Sequence, residues 1–295
     1  MKQPLISCEV TALNDNQDTF LVFDRVKNDF IYPLHFHPEY EINCILDGPG
    51  VQRVMGDSIE EITDMELCIV GPNLYHAWLP GRYDDSKLCR EITIQFNGDI
   101  LSQTLLEKQI FHSILDMLHR STQGIAFGRE SIKEILPIIT NLASKKGFES
   151  FIELMRLLHA MSIAPDQRQL ANVSFQVQNT AGFADERIEV AYNYMKAHYA
   201  EKIKVEDVAQ CVRLSTVTFT RLIKNRTGKS FIDFLNDIRI GYASRMMVDS
   251  TKTIGEICYA CGFNNISNFN RLFKRRKGLT PSEYRHTYQG SRIVY

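Results

Sequence analysis

Two sets of side chains in this 295-residue sequence have the types and spacing for chemistry. Near the C-terminus, Ser267, Asn268, Asn270, Arg271 and Lys274 crowd into one short stretch, and Lys274-Arg275-Arg276-Lys277 forms a basic run. Hydroxyl, amide and guanidinium groups pair with the edges of nucleic-acid bases, while clustered ammonium and guanidinium groups neutralise phosphates. Near the N-terminus, His35, His37 and Glu41 fall in the pattern H-x-H-x-x-x-E, and His76 and Trp78 follow. Three imidazoles and a carboxylate can hold a divalent transition metal such as Zn, Fe or Mn. The same groups, with Trp78, can instead line a pocket for a small molecule or bond their own neighbours. On an extended strand His35, His37 and Glu41 share a face by the period of two, a register that Pro38 disturbs.

The elements that must position the C-terminal set are helices. From Thr253 the apolar residues Ile254, Ile257, Cys258 and Cys261 recur at helical spacing, Gly262-Phe263 interrupts them, and Ile266, Phe269, Leu272 and Phe273 resume. That is helix, turn, helix, with the polar set outward on the second helix. Alone, such a helix is an ordinary solvated amphipathic helix. The pattern occurs twice, however. Val205, Val208 and Val212 match Ile254, Ile257 and Cys261, and Phe219, Arg221, Leu222, Ile223, Lys224 and Gly228 match Phe269, Arg271, Leu272, Phe273, Lys274 and Gly278, with one residue inserted in the turn. The first copy turns Thr216, Val217, Thr220, Arg221 and Lys224 outward. Between the copies Phe231 to Val248 keeps helical periodicity through Phe234, Leu235, Ile238, Tyr242 and Met246. A helix of that length spans about 27 Å, approaching one turn of DNA at roughly 34 Å. Two reading helices can thus address successive major-groove segments.

At these residues the sequence resembles the C-terminal domain of the AraC/XylS family of bacterial transcription regulators. The resemblance runs from about Arg187 to Arg285 and is strongest in Gly262-Phe263, Asn270 to Arg275, Gly278 to Pro281 and Tyr284-Arg285. Cys258 and Cys261 stand where the family commonly has other small residues, and both are small enough to pack. The resemblance implies a sequence-specific regulator or activator that binds promoter or operator DNA, engages RNA polymerase, works in the bacterial cytoplasm at the nucleoid, and forms a homodimer.

Charge agrees with that division. The whole chain is nearly neutral, at -1, but from Glu186 onward 19 Lys and Arg stand against 10 Asp and Glu, leaving 15 against 25 in the rest. The basic third favours a polyanion and the acidic remainder avoids one. Seven scattered cysteines do not make a disulfide framework, and Cys258-x-x-Cys261, lacking a second pair, reads as helix packing rather than a zinc or redox site. No apolar run approaches the ~20 residues that cross a bilayer, so no membrane partner is expected.

Residues 1–96 read as short strands broken by turns such as Asp47-Gly48-Pro49-Gly50 and Gly71-Pro72-Asn73, which predicts a sandwich or barrel. This stretch resembles the cupin barrel of many AraC-type regulators, and H-x-H-x-x-x-E with a later His is the metal-ligand pattern of cupin enzymes. From Ile100 to about Ala164 three helical stripes follow, centred on Leu105 to Leu118, Ile132 to Leu142 and Leu154 to Met161. By resemblance this segment packs on the barrel and supplies a dimer surface. Pro165 to Asp185 is polar, without periodicity, and reads as a linker.

The expected architecture is therefore α+β: a cupin-like effector domain over 1–165 with helices from about 100, a linker over 166–185, and an all-α DNA-binding domain over 186–295 whose two helix-turn-helix units cover about 205–228 and 254–278. The expected function is a DNA-binding regulator, not an enzyme, controlled by a sugar or other metabolite at His35, His37, Glu41, His76 and Trp78, with no cofactor. The alternative is a metal-dependent cupin enzyme carrying an appended DNA-binding domain. A purely architectural DNA-binding protein leaves the barrel unexplained.

Overall fold

The computed structural model describes residues 7–8, 11, 19–30, 32, 34–172, 186–227, 229–288 and 292–294. The chain divides into two units: chiefly Leu13–Gln176 with Tyr288–Tyr295, and Val177–Thr287.

After β1 (Ser7–Cys8), which groups with the second unit, the strands of the first unit are β2 (Phe20–Lys27), β3 (His35–Phe36), β4 (Tyr40–Leu46), β5 (Gln52–Met55), β6 (Ser58–Glu61), β7 (Met65–Val70), β8 (His76–Leu79), β9 (Cys89–Phe96), β10 (Ile125–Ala126), β11 (Arg168–Gln169) and β12 (Arg292–Val294). They make two separate antiparallel sheets. One runs β3-β8-β5-β6, and the other β11-β10-β7-β4-β9-β2-β12. The expected closed barrel is thus two facing sheets, because the short strands of the smaller sheet do not continue the ladder of the larger.

The larger sheet is buried on both faces, which alternation along its strands permits. Ile42 and Cys44 of β4, Leu67 and Ile69 of β7, and Ile92, Ile94 and Phe96 of β9 pack against helices α2 (His112–Arg120), α3 (Arg129–Ser144) and α4 (Phe148–Ile163). Ile45, Cys68 and Val70 turn the other way and share a second core with Met55, Leu74 and Trp78 of the smaller-sheet side. The predicted helical stripes meet the first core through Ile114, Ile132, Ile135, Ile139, Leu154, Leu157 and Leu158. The first stripe is interrupted, with a short α1 (Gln103–Leu106) and a 3-10 turn at Gln109–Phe111 ahead of α2.

The segment read as a linker does not begin at residue 166. β11 pairs with β10, and Ala171 is buried in the inter-sheet core. Its anchor is ionic: Arg168 holds the Glu60 carboxylate at 2.6 and 2.8 Å, and the buried Arg53 bridges Glu60 and Glu66. Residues 173–185 of that expected linker lie outside the described residues, and residues 288–295, expected with the helical domain, belong to the first unit.

The second unit contains α5 (Glu186–Ala197), α6 (Val205–Cys211), α7 (Thr216–Thr227), α8 (Phe231–Asp249), α9 (Ile254–Ala260), α10 (Ile266–Lys277) and α11 (Pro281–Tyr288). Among the described residues no helix is long and apolar enough to cross a membrane.

The Arg168 hydrogen bonds, acting against burial and reinforced by Arg53, hold the Glu60 carboxyl at about 2, below its ordinary 4.5. A depressed carboxyl stabilises the fold above its unfolded value and loses that contribution as pH falls through the folded one. The melting temperature of wild type should therefore exceed that of Glu60→Gln at neutral pH, and the gap should close between pH 4.5 and about 2. A gap independent of pH would refute the ionic anchor.

Candidate DNA-reading surface and effector site

The second unit repeats one local geometry. In the first copy Val212 N donates to Val208 O and Leu214 N to Ala209 O, and Arg213 takes φ 55°. In the second, Cys261 N donates to Ile257 O and Phe263 N to Cys258 O, and Gly262 takes φ 76°. The left-handed residue closes the first helix and re-aims the chain into the second. At Gly262 a Cβ would lie 2.8 Å from the Tyr199 carbonyl oxygen, so only glycine fits. Arg213 pays the usual non-glycine strain at the corresponding position.

Caps then start the reading helices. Ser215 accepts from Thr218 N at 3.2 Å before α7, and Asn265 from Asn268 N at 2.8 Å before α10. Phe219 and Ile223 of α7, and Phe269, Leu272 and Phe273 of α10, are buried as their spacing predicts, and Leu222 is half-buried. The opposite faces are free of the core: Val217, Thr220, Arg221 and Lys224 on α7 and Ser267, Asn268, Asn270, Arg271 and Lys274 on α10 are exposed, with Thr216 half-buried. Val217 is 80% exposed. Arg271 Nη2 donates to Asn268 Oδ1 at 2.9 Å, which holds the guanidinium along the reading face.

The basic run is not all surface. Lys274 and Arg275 are exposed, but Lys277 is buried, and Arg276 reaches Asp237 at 2.5 Å and Asp233 at 3.2 Å on α8. Lys229, just after the first copy, also meets Asp237 at 2.5 Å. Arg276 and Lys277, read from the sequence as phosphate neutralisers, are therefore turned inward: acidic residues of α8 face Arg276, and Lys277 is buried. Cys258 and Cys261 are fully buried, and burial pushes the Cys261 thiol up to about 12, against any metal or redox use.

In the first unit His35, His37, Glu41 and His76 are all buried, with ligand atoms within 4.8 Å of one another. They do not share one strand face. The chain passes from β3 in the smaller sheet to β4 in the larger through Pro38 and Glu39, which folds His35 and His37 over Glu41, and β8 places His76 opposite His35. His37 Nε2 lies 3.3 Å from Glu41 Oε2, and His76 Nε2 3.8 Å from Glu41 Oε1. Burial disfavours ionisation of Glu41, but His37 and His76 outweigh it and hold the carboxyl well below the usual range. Trp78 stands edge-on to His76 at 6.0 Å.

Sequence reasoning missed the polar floor beneath these groups. Register sets Gln95 opposite Glu41 and Thr93 opposite Asn43, and all four side chains are buried. Gln95 Nε2 donates to Glu41 Oε2 at 2.8 Å and Asn43 Nδ2 to Thr93 Oγ1 at 3.1 Å. The signal was present as polar residues at every second position of two otherwise apolar strands. Asn43 Oδ1, His76 Nε2 and Trp78 Nε1 are buried without a hydrogen-bond partner, the state expected of groups that a ligand satisfies. The donor set, three imidazoles and one carboxylate without a thiolate, also fits a divalent metal.

A family described as a helix-turn-helix domain matches residues 208–287. Over 95% of this chain and 91% of the relative, the sequence is 23% identical to the uncharacterized HTH-type transcriptional regulator YdeC of Bacillus subtilis. It is 22% identical to the HTH-type transcriptional activator RhaS of Escherichia coli over 88% of this chain and 89% of that protein. The fold is similar to that of ToxT from Vibrio cholerae, with a TM-score of 0.58 at 15% identity over 92% of this chain and 99% of that one. A ToxT structure with bound unsaturated fatty acid matches with a TM-score of 0.56 at 16% identity over 96% of this chain and all of that one.

The ionic contacts of Arg276 generate a prediction opposite to that for a DNA contact. Arg276→Ala should cost the helical unit ~2 kcal/mol of stability by leaving the buried Asp237 to Lys229 alone, read by chemical denaturation, while the salt dependence of DNA binding keeps its slope. A shallower slope with unchanged stability would assign Arg276 to the phosphates.

Proposed function

We propose, from the premise that this chain belongs to the AraC/XylS family of DNA-binding transcription regulators, that α7 and α10 read two successive major-groove segments under control of a small molecule bound in the first unit. The observation that carries this reading is the repeated helix-turn-helix, each copy with an apolar face inward and a polar face exposed. Arg221 and Arg271 contact guanine edges, Asn268 or Asn270 reads adenine, and Val217 meets a thymine methyl. Thr216, Thr220 and Ser267 contribute hydroxyls at the groove, although the Thr220 hydrogen is engaged by Thr216 O at 2.7 Å. Lys224 and Lys274 neutralise phosphates. The DNA-binding domain extends from about residue 186, and its partner in activation is RNA polymerase, in the cytoplasm where DNA is found.

The effector site is His35, His37, Glu41, His76 and Trp78 with the floor of Asn43, Thr93 and Gln95. Its imidazole and amide lining suits a polar metabolite such as a sugar, whereas an ionised Glu41 opposes the carboxylate of a fatty acid of the kind bound by ToxT. Here the tetrad binds rather than catalyses, and control requires that the effector favour one arrangement of the regulator over another. A homodimer is supported by α4, whose Phe148, Ile152 and Ile163 are 72%, 41% and 60% exposed along one stripe.

Arg271→Ala should cost ~1 to 3 kcal/mol at the specific site and relax preference at one base pair, whereas Lys274→Ala should weaken all sequences alike and lower the salt slope by about one. Equal losses on specific and random DNA for Arg271→Ala would remove its base-reading role. Ile152→Glu should weaken self-association at least ~10-fold, by about 1.4 kcal/mol, in light-scattering measurements over a concentration series. A wild-type mass of one chain throughout would remove the dimer.

A further inference from the structure

We propose that a cavity on the flank of the first reading helix binds a small aromatic carboxylate, and that the bound acid withdraws Arg221 from DNA. Every lining residue belongs to the helical unit and none to the effector chamber, so the site gives the regulator a second, direct input.

The cavity has a volume of about 420 Å³ and is lined by Arg187 of α5, Leu214 of the turn, and Thr218, Arg221, Leu222 and Asn225 of α7. That is the size of a pocket for a small organic molecule. It arises from a difference between the two copies of the motif. The hydrogen bond of Leu214 N to Ala209 O puts Leu214 where Phe263, bonded to Cys258 O, stands in the second copy. Phe263 is buried, its ring centroid is 5.1 Å from that of Phe269, and the Arg239 guanidinium lies 5.8 Å above it. Leu272 of that copy is 5% exposed, whereas its counterpart Leu222 is half-buried. A leucine is a ring short of a phenylalanine, and the first copy keeps the missing volume as a cavity with an arginine at its wall. The piece it lacks is an aromatic ring.

The lining decides what else the occupant carries. Two guanidinium groups and no carboxylate are among the lining side chains. Leu214 and Leu222 offer an apolar wall to a ring, and Arg187 can take the cation–π position that Arg239 takes over Phe263. Arg221 supplies paired N–H donors that match a carboxylate. A bare phosphate, or a DNA phosphodiester, meets the arginines but leaves the leucines uncovered. An uncharged ring covers the leucines and leaves Arg221 unanswered.

Arg221 is also the reading arginine able to respond. In the second copy Asn268, three positions before Arg271, accepts from it at 2.9 Å. The same position before Arg221 holds Thr218, whose hydroxyl pairs with that of Ser215 at 2.8 Å. Arg221 thus lacks the clamp that keeps Arg271 along the reading face, and an anion in the cavity competes with guanine for it.

The test uses the full-length chain with benzoate as the probe. Ligand-observed NMR should show saturable binding that is lost in Arg187→Ala and in Leu214→Phe. The second variant fills the cavity and should also melt above wild type. On a DNA site selected by wild type from a random pool, saturating benzoate should weaken binding ~10-fold, the loss of one bidentate base contact, and should leave both variants unaffected. No saturable binding by wild type overturns the proposal, as does wild-type binding by the variants or equal affinity for inorganic phosphate. If Arg187→Ala keeps its benzoate but lowers the salt slope of DNA binding by about one, Arg187 belongs to the DNA backbone and the proposal falls. Benzoate bound with DNA affinity unchanged refutes the withdrawal of Arg221. Should one variant fail to fold, the other decides. If wild type selects no DNA sequence, the regulator reading fails while the benzoate titration still decides the cavity.

Discussion

The carboxylate of Asp237 is the point on which the helical unit turns. It sits inside α8, receives Lys229 from just beyond the first reading helix and Arg276 from within the second, and is itself buried. A buried carboxylate is tolerable only while its cations stay in place. The two copies of the motif are consequently locked to one connecting helix, and the separation between their exposed faces is a property of the fold. Stacking of Tyr199 on Tyr242, with centroids 3.7 Å apart, adds a second fixed point on the same helix.

The first unit solves a different problem. Its larger sheet is covered on both sides, yet only one of those sides is wholly apolar. Along β4 and β9 the residues facing the helices are Ile42, Cys44, Ile92, Ile94 and Phe96, while those facing the smaller sheet include Glu41, Asn43, Thr93 and Gln95. Buried polar groups in such number are costly unless bonded. Gln95 on Glu41 and Asn43 on Thr93 answer that cost within the sheet, and the imidazoles of the opposing layer address the remaining carboxylate oxygens.

The helical unit was readable from the sequence almost residue by residue, because helical periodicity, caps and a duplicated pattern all report local structure. What could not be read there was long-range: Arg276 and Lys277 look like half of an ordinary basic surface run until the fold brings the acids of α8 opposite Arg276 and buries Lys277. In the first unit the strands around Glu41 and Glu91 were visible as apolar stretches, but their pairing was not, so the convergence of His35 and His37 on Glu41 was expected for the wrong reason. A turn at Pro38 between two sheets achieves it, not a shared strand face. The polar floor was hidden in plain view, since polar residues alternating in a strand ordinarily mark a solvated face. The ionic anchoring of Arg168 on Glu60, more than a hundred positions apart in sequence, left no local signal at all.

Alternation along β4 and β9 separates two jobs at the resolution of single residues. Substitutions at Asn43, Thr93 or Gln95 alter what the interior can bond while leaving the helix-facing neighbours Ile42, Ile92 and Ile94 untouched. An inserted or deleted residue, by contrast, would exchange the two faces along the rest of the strand. Descendants of this chain are thus free to diverge in ligand by point substitution, while changes of strand length are closed to them, so the chemistry of the signal can drift without disturbing the architecture that receives it.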